Sequence, residues 1–203
     1  MVKKIAITGG IGSGKSAVLK ILKEEGFPTF SCDEIYKEIL FDKEYIRLIS
    51  LTFPTAVKND NIDKKVLAEI VFSDKNKREE LDSIAHPMIM TKLFEKISQI
   101  DNGIVFVEVP LLFECGYTNM FDGVIVVQRS SEERIQSVMK RDGLDEGSVL
   151  ARMNAQFDYS IFDENYNADK NIRILYNDQS IEKLKENIKN VIIKISWNNL
   201  CEA

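Results

Sequence analysis

The chain has 203 residues, of which 44% are hydrophobic and 29% are charged, so it is long enough for one sizeable core of ordinary globular composition. Lysine and arginine (27) are outnumbered by aspartate and glutamate (32), and the net charge of −5 gives no support to broad electrostatic binding of nucleic acid. No apolar run approaches the roughly 20 residues that a membrane-spanning helix needs, so we expect no membrane partner.

The N-terminal residues MVKKIAITGG superficially resemble a signal peptide, because two lysines precede an apolar stretch. That stretch is too short and runs directly into a glycine-rich loop, which favours a first β-strand. Cys32, Cys115 and Cys201 have no metal-ligand spacing and predict reduced thiols in a cytoplasmic protein.

Short β-rich runs alternate with longer helical patterns, which predicts parallel βαβ units in an α/β fold. Apolar runs such as IVFVEVP and GVIVV are typical of strands that are covered on both faces. We predict five strands, at residues 4–8, 28–31, 104–109, 123–128 and 172–176.

Residues 33–102, between the second and third strands, exceed a simple crossover and show helical patterns at 33–40, 44–53, 63–72 and 87–100. Asp63 suits the N-cap of the third helix, and Pro87 suits the first turn of the fourth. We interpret this segment as a helical insertion that binds a second substrate. Residues 129–170 resemble the lid of a small kinase, and a last helix is expected at about 179–197. The core then comprises about 1–32, 103–128 and 171–203.

Residues 9–16, GGIGSGKS, match G-x-x-x-x-G-K-[ST] in full, directly after a strand and before a helix. Glycines let backbone N–H groups turn around phosphate oxygens, and the helix N-terminus adds positive potential. We expect Lys15 to reach the β- and γ-phosphates of ATP and the Ser16 hydroxyl to bind Mg²⁺. The predicted ATP contacts are Gly10, Ile11, Gly12, Ser13, Gly14, Lys15, Ser16 and Ala17.

Kinases, GTPase switches and motor ATPases share this loop, so it identifies no phosphate acceptor. A GTPase would carry N-K-x-D to read guanine, and the sequence NKRE at residues 76–79 lacks the aspartate. A compact ATP-dependent kinase is therefore favoured over a nucleotide-binding switch.

Asp33 follows the second strand and should lie at the carboxyl edge of the sheet, where ligands of open α/β sheets bind. Its carboxylate could accept the proton of an attacking hydroxyl group and orient that group toward the γ-phosphate. A structural alternative is equally compatible with the residues, because Ser31 and Glu34 have capping-box spacing and Asp33 suits a first helical turn.

The motifs ITGGIGSGKSAV, SCDEI, HP at residues 86–87, VEVPLLFECG and KRDGL occur in an order that resembles the dephospho-CoA kinase family. The resemblance extends over nearly the whole chain. It implies a P-loop nucleoside triphosphate hydrolase fold with a five-stranded parallel sheet, a helical acceptor-binding insertion and a helical lid. It also implies that ATP phosphorylates the 3′-hydroxyl of the ribose of dephospho-CoA, the last step of coenzyme A synthesis, with Asp33 as the catalytic aspartate.

The remaining candidates take their roles from position and from this resemblance. Glu108 ends a buried strand and could orient Mg²⁺ through water, as a Walker-B acid does. Arg141, in KRDGL, could place its guanidinium on the transferring phosphate, whereas Arg134 and Arg152 are interpreted as solvated helix residues. The expected acceptor contacts are Asp33, Tyr36, His86 and Glu114.

Several acceptor residues also have a purely structural interpretation. Tyr36, with Phe53, Leu67 and Ile70, could form an apolar wall for the pantetheine arm, or each could belong to a helix core. His86 could contact an acceptor phosphate or serve the entry into a helix. The resemblance implies a dephospho-CoA kinase that uses ATP and Mg²⁺; a nucleoside or nucleotide kinase is the alternative, followed by a non-kinase switch. We predict a monomer, with an oligomer as the alternative.

Overall fold

The computed structural model describes residues 1–163, 166 and 171–197. Residues 164–165 and 167–170 of the predicted lid, and residues 198–203 of the predicted core with Cys201, lie outside the described residues. The described chain divides into two compact units, residues 1–29 with 102–203 and residues 30–101. We call them the sheet unit and the helical unit.

In the described part of the chain, one sheet has five strands in the order β2-β5-β1-β6-β7. Its pairings β1–β5, β1–β6 and β6–β7 are parallel. The predicted α/β class with a five-stranded parallel sheet is therefore confirmed. The strands of this sheet are β1 (Val2–Thr8), β2 (Thr29–Ser31), β5 (Gly103–Glu108), β6 (Gly123–Gln128) and β7 (Ile172–Tyr176).

Of the described helices of the sheet unit, the first and the last pack on this sheet through an apolar stripe, and the middle two contact each other. In chain order these helices are α1 (Lys15–Glu24), α6 (Ser131–Asp142), α7 (Glu146–Asn154) and α8 (Ile181–Trp197). Strands β1, β5, β6 and β7 share a buried core with α1 and α8. The core residues are Ile5, Ile7, Val18, Ile21, Leu22, Phe106, Ile125, Val127, Leu175, Leu184, Ile188, Val191 and Ile195.

In the helical unit, α2, α3 and α4 each pack against α5. Asp63 caps α4 by accepting hydrogen bonds from the backbone N–H groups of Lys65 and Val66, which confirms the predicted N-cap. The elements are α2 (Cys32–Ile39), α3 (Lys43–Thr52), β3 (Val57–Lys58), β4 (Asn61–Ile62), α4 (Lys64–Ser73) and α5 (Lys75–Ile97).

The predicted helix start at Pro87 is wrong. Helix α5 begins twelve residues earlier, at Lys75, and Asp74 caps it by accepting from the backbone N–H groups of Asn76 and Lys77. Proline inside a helix removes one hydrogen bond, but buried apolar residues continue along one face past it. Those on either side of Pro87 are Leu81, Ala85, Ile89, Met90, Leu93 and Ile97.

A two-residue hairpin turn was not predicted. Strands β3 and β4 pair antiparallel through Asn59 and Asp60, whose φ values are 50° and 56°. Asn and Asp tolerate this left-handed region well, so the sequence KNDN carried a turn signal. Among the described residues, no helix combines the length and the apolar composition that a membrane crossing requires.

Candidate active site

The glycine-rich loop joins the carboxyl end of β1 to α1, as the motif predicts. Gly14 is the N-cap of α1 in a left-handed conformation (φ 94°), and its carbonyl accepts from the N–H groups of Ala17 and Val18. The Lys15 side chain folds back over the loop, where its Nζ donates to the carbonyls of Gly9 (2.8 Å) and Gly10 (3.2 Å). A lysine ammonium therefore lies at the start of the loop.

Ser16 and Glu108 meet beside this loop. The parallel register of β1 and β5 pairs Glu108 with Ile7, one residue before the end of β1. The Ser16 Oγ donates to Glu108 Oε1 at 3.2 Å, and Glu108 is only 7% exposed. Hydroxyl and carboxylate oxygens are the ligands that a hard divalent cation prefers, so these two residues fit the proposed Mg²⁺.

Three side chains from the C-terminal half also bind the loop, and the sequence did not indicate them. Gln156 Oε1 accepts from the Ile11 N–H (2.7 Å), and Arg134 Nε donates to the Ile11 carbonyl (2.9 Å). Asn177 Nδ2 donates to the Ser13 carbonyl at 2.8 Å. Asn177 directly follows β7, so the rule that strand carboxyl ends meet at one edge could have found it.

Arg141 lies at the end of α6 and is exposed. Its Nε and Nη2 donate to the two carboxylate oxygens of Asp142 at 2.7 and 2.9 Å, and Arg152 approaches the same carboxylate at 3.6 Å. These contacts hold the pKa of Asp142 below its usual value, with the Arg141 hydrogen bond as the main cause.

The segment after α7 is fastened to the carboxyl edge of the sheet. The Tyr159 hydroxyl forms a hydrogen bond with Thr8 Oγ1 at 3.0 Å, and both residues are buried. Burial raises the pKa of Tyr159 to about 12, so the phenol stays protonated at neutral pH. Gln128 Nε2 donates to the carbonyls of Tyr159 and Phe162, which anchors this segment a second time.

Glu114, a predicted acceptor contact, also touches this segment. It lies in the loop after β5, and its Oε1 accepts from the backbone N–H of Phe157 at 3.0 Å. The Phe113 ring next to it stacks on Phe157 and Phe162, with centroid distances of 4.8 and 5.0 Å. The carboxylate is exposed and keeps acceptor capacity for other donors.

The other predicted acceptor contacts belong to the helical unit. Asp33 is exposed in the first turn of α2. Ser31 is the N-cap of α2 but its side chain makes no capping bond, so the capping-box alternative is wrong. The predicted first-turn position of Asp33 is confirmed, and that position is compatible with a catalytic role and with helix-dipole stabilisation alike.

Tyr36 and His86 lie on α2 and α5. The half-buried Tyr36 ring packs edge-to-face on Tyr45, with centroids 6.3 Å apart. His86 lies in the middle of α5 rather than at a helix entry, with its Nε2 3.6 Å from Asp82 Oδ1. The helix-entry interpretation of His86 is therefore wrong.

Comparison with known proteins shows the family to which this chain is similar. The family model for dephospho-CoA kinase matches residues 3–183. A dephospho-CoA kinase from Thermus thermophilus is 35% identical over 192 residues, which cover 95% of this chain and 91% of the relative.

Two solved structures agree with this match. A crystal structure of a Thermus thermophilus protein superposes with a TM-score of 0.80 at 34% identity, covering 95% of this chain and 97% of the other. The dephospho-CoA kinase from Campylobacter jejuni gives a TM-score of 0.68 at 30% identity, covering 98% and 100%. The chain belongs to the dephospho-CoA kinase family.

Proposed function

We propose that this protein transfers the γ-phosphoryl group of ATP to the ribose 3′-hydroxyl of dephospho-CoA, which yields coenzyme A and ADP. The observation that carries this proposal is the family match over residues 3–183, which includes the complete phosphate loop. The contact between Ser16 and the buried Glu108 gives it independent physical support.

The sheet unit binds ATP in this proposal. Backbone N–H groups of residues 10–17 surround the phosphates, and the N-terminus of α1 stabilises their charge. The Lys15 ammonium exchanges its bonds with the Gly9 and Gly10 carbonyls for phosphate oxygens, which are stronger acceptors for a cation.

Ser16 and Glu108 would hold Mg²⁺, Ser16 through its hydroxyl and Glu108 through a bound water. The buried Glu108 carboxylate accepts a hydrogen bond from the Ser16 hydroxyl, so the two oxygen ligands lie side by side. When bound there, Mg²⁺ would neutralise negative charge that develops during transfer.

Asp33 acts on the acceptor. Its carboxylate takes the proton of the 3′-hydroxyl as that oxygen forms a bond to the γ-phosphorus, and the bond from the γ-phosphorus to the β–γ bridging oxygen breaks to release ADP. Tyr36, His86 and Glu114 contact dephospho-CoA. Arg141 leaves Asp142 and contacts the transferring phosphate when the lid closes, a change that replaces one anionic partner with another.

A coupled assay tests the proposal. Purified protein with Mg²⁺ and ATP should release ADP rapidly only when dephospho-CoA is added, and the product should carry a 3′-phosphate. Strong turnover with a nucleoside and none with dephospho-CoA would replace the proposal with a nucleoside kinase. ADP release without any acceptor would favour a switch or an ATPase.

The cellular compartment and the oligomeric state of the protein are predictions made from the sequence. We propose a cytoplasmic protein, because its cysteines show no disulfide pattern, and we propose that it is a monomer. Sedimentation of the purified protein would test the monomeric state.

A further inference from the structure

Arg134 on α6 lies directly against the phosphate loop. Its Nε donates to the Ile11 carbonyl at 2.9 Å, and a methyl group on Gly10 would overlap its guanidinium. A Cβ on Gly12 would lie 2.6 Å from the Arg134 carbonyl oxygen. Gly12 therefore has a packing role as well as a conformational one (φ 78°), since a side chain there would meet the backbone of α6, and Gly10 leaves room for the Arg134 guanidinium. The interpretation of Arg134 as a solvated helix residue is wrong.

The charge of Arg134 has no counter-ion among the described residues. Among the residues that the structure describes, no carboxylate forms an ion pair with Arg134, whereas Arg129 pairs with Glu133 and Arg141 pairs with Asp142. Arg134 is half-buried, and burial lowers its pKa, although an arginine stays charged at neutral pH. A partly buried cation that lacks an anion is unfavourable until an anion binds.

The position of Lys15 indicates which anion would neutralise the charge of Arg134. The Lys15 ammonium bonds to the Gly10 carbonyl, so two cations lie at the same glycine of the loop. In loops of this motif the lysine reaches the β- and γ-phosphates. A second cation at this glycine is positioned for the same end of the triphosphate.

We propose that Arg134 binds the γ-phosphate of ATP and stabilises the charge that its oxygens carry during transfer. Nε stays on Ile11 and orients the guanidinium, which leaves the Nη N–H groups for the phosphate. The inference rests on the proposed function, because it requires ATP in this loop. It adds a catalytic residue that is fixed by the loop itself, unlike Arg141 on the exposed end of the same helix.

Three variants separate this role from a structural one. Arg134→Gln removes the charge but keeps an N–H donor for Ile11. Arg134→Lys keeps the charge without the planar fork. Lys140→Gln removes the same charge from an exposed position of α6 and is the matched control.

The first readout is the dissociation constant for ATP relative to that for ADP, which needs no acceptor. Arg134→Gln should weaken ATP binding by about 10- to 100-fold, the range for losing a charge-assisted hydrogen bond, and should leave ADP binding within about threefold. Arg134→Lys should recover part of the ATP affinity. Lys140→Gln should leave both constants unchanged.

The second readout is kcat at saturating ATP and dephospho-CoA. Arg134→Gln should lower it by about 10²–10³-fold, as loss of a single transition-state donor does, without a change in melting temperature. Equal weakening of ATP and ADP, in either Arg134 variant, would mean that the residue only shapes the loop and would overturn the inference. An unchanged kcat in a folded Arg134→Gln protein would overturn it as well.

The two readouts also separate this inference from the proposed function. If the wild-type protein discriminates ATP from ADP through Arg134 but does not phosphorylate dephospho-CoA, the acceptor is wrong and the γ-phosphate contact stands. If the wild-type protein binds no ATP, both proposals fail.

Discussion

Lys15 is the cation that the motif requires, and its bonds to two loop carbonyls keep it over the phosphate site. We expect Lys15→Ala to abolish transfer and to weaken ATP binding, because the variant loses the ammonium that reaches the β- and γ-phosphates in loops of this motif. The coupled assay and calorimetric titration with ATP measure both effects.

Lys20→Ala is the control for that variant. Lys20 is an exposed lysine on the same helix, where it pairs weakly with Glu24, so its removal should change neither measurement. Undiminished turnover in Lys15→Ala would show that the phosphate donor binds elsewhere.

Substitution of Asp33 tests whether its carboxylate is the general base or only a charge that stabilises the N-terminus of α2. Asp33→Asn keeps the shape of the side chain and removes its negative charge and its proton acceptor. Transfer to dephospho-CoA should fall by about 10²–10⁴-fold, the usual contribution of a general base. ATP affinity should be unchanged, since Asp33 is not part of the loop.

The structural reading of Asp33 predicts another outcome. A charge in the first helical turn contributes about 0.3–1 kcal/mol to the stability of the fold and nothing to transfer. Glu34→Gln removes an equivalent exposed charge from the next residue and is the matched control. Near-wild-type transfer by a folded Asp33→Asn protein would eliminate the catalytic role.

At the scale of elements, the start of α5 is tested at Asp74. Its carboxylate accepts the N–H of Asn76 at 2.8 Å and that of Lys77 at 3.3 Å. Asp74→Ala should lower the free energy of unfolding by about 1 kcal/mol, measured by urea denaturation, whereas Asp74→Asn should be almost silent. If the helix began at Pro87, both variants would be silent.

The lid is tested at α6 and α7. We expect amide hydrogen exchange in residues 131–154 to slow when a non-hydrolysable ATP analogue and dephospho-CoA bind together, because closure excludes water. Residues 157–162 should exchange slowly even without ligand, since Gln128 and Tyr159 anchor them to the sheet. Protection of the loop alone, with none over 131–154, would contradict the lid assignment.

At the scale of the whole molecule, the two units should respond to different ligands. An ATP analogue alone should protect amides of residues 9–18, in the sheet unit. Dephospho-CoA alone should protect amides of the helical unit, above all in α2 and α5, which carry Asp33, Tyr36 and His86. Protection by dephospho-CoA confined to the sheet unit would refute an acceptor-binding role for the insertion.

The sequence by itself determined the features that depend on neighbouring residues. The phosphate loop is eight consecutive residues whose spacing encodes its geometry, and the apolar runs at 123–128 and 172–176 predicted β6 and β7 with their bounds. The helix N-cap at Asp63 was also predicted from neighbouring residues alone. The family resemblance follows from such motifs and their order along the chain.

Only the tertiary structure decided which distant residues meet at the loop. Arg134, Gln156 and Asn177 are 123, 145 and 164 residues from their loop partners, and the parallel strands gather them at one edge of the sheet. Likewise, α5 continues through Pro87 because buried contacts on both sides outweigh the lost hydrogen bond. A local sequence pattern predicts neither the distant contacts at the loop nor the continuation of α5. Both depend on the free energy of packing between segments that are far apart in the chain.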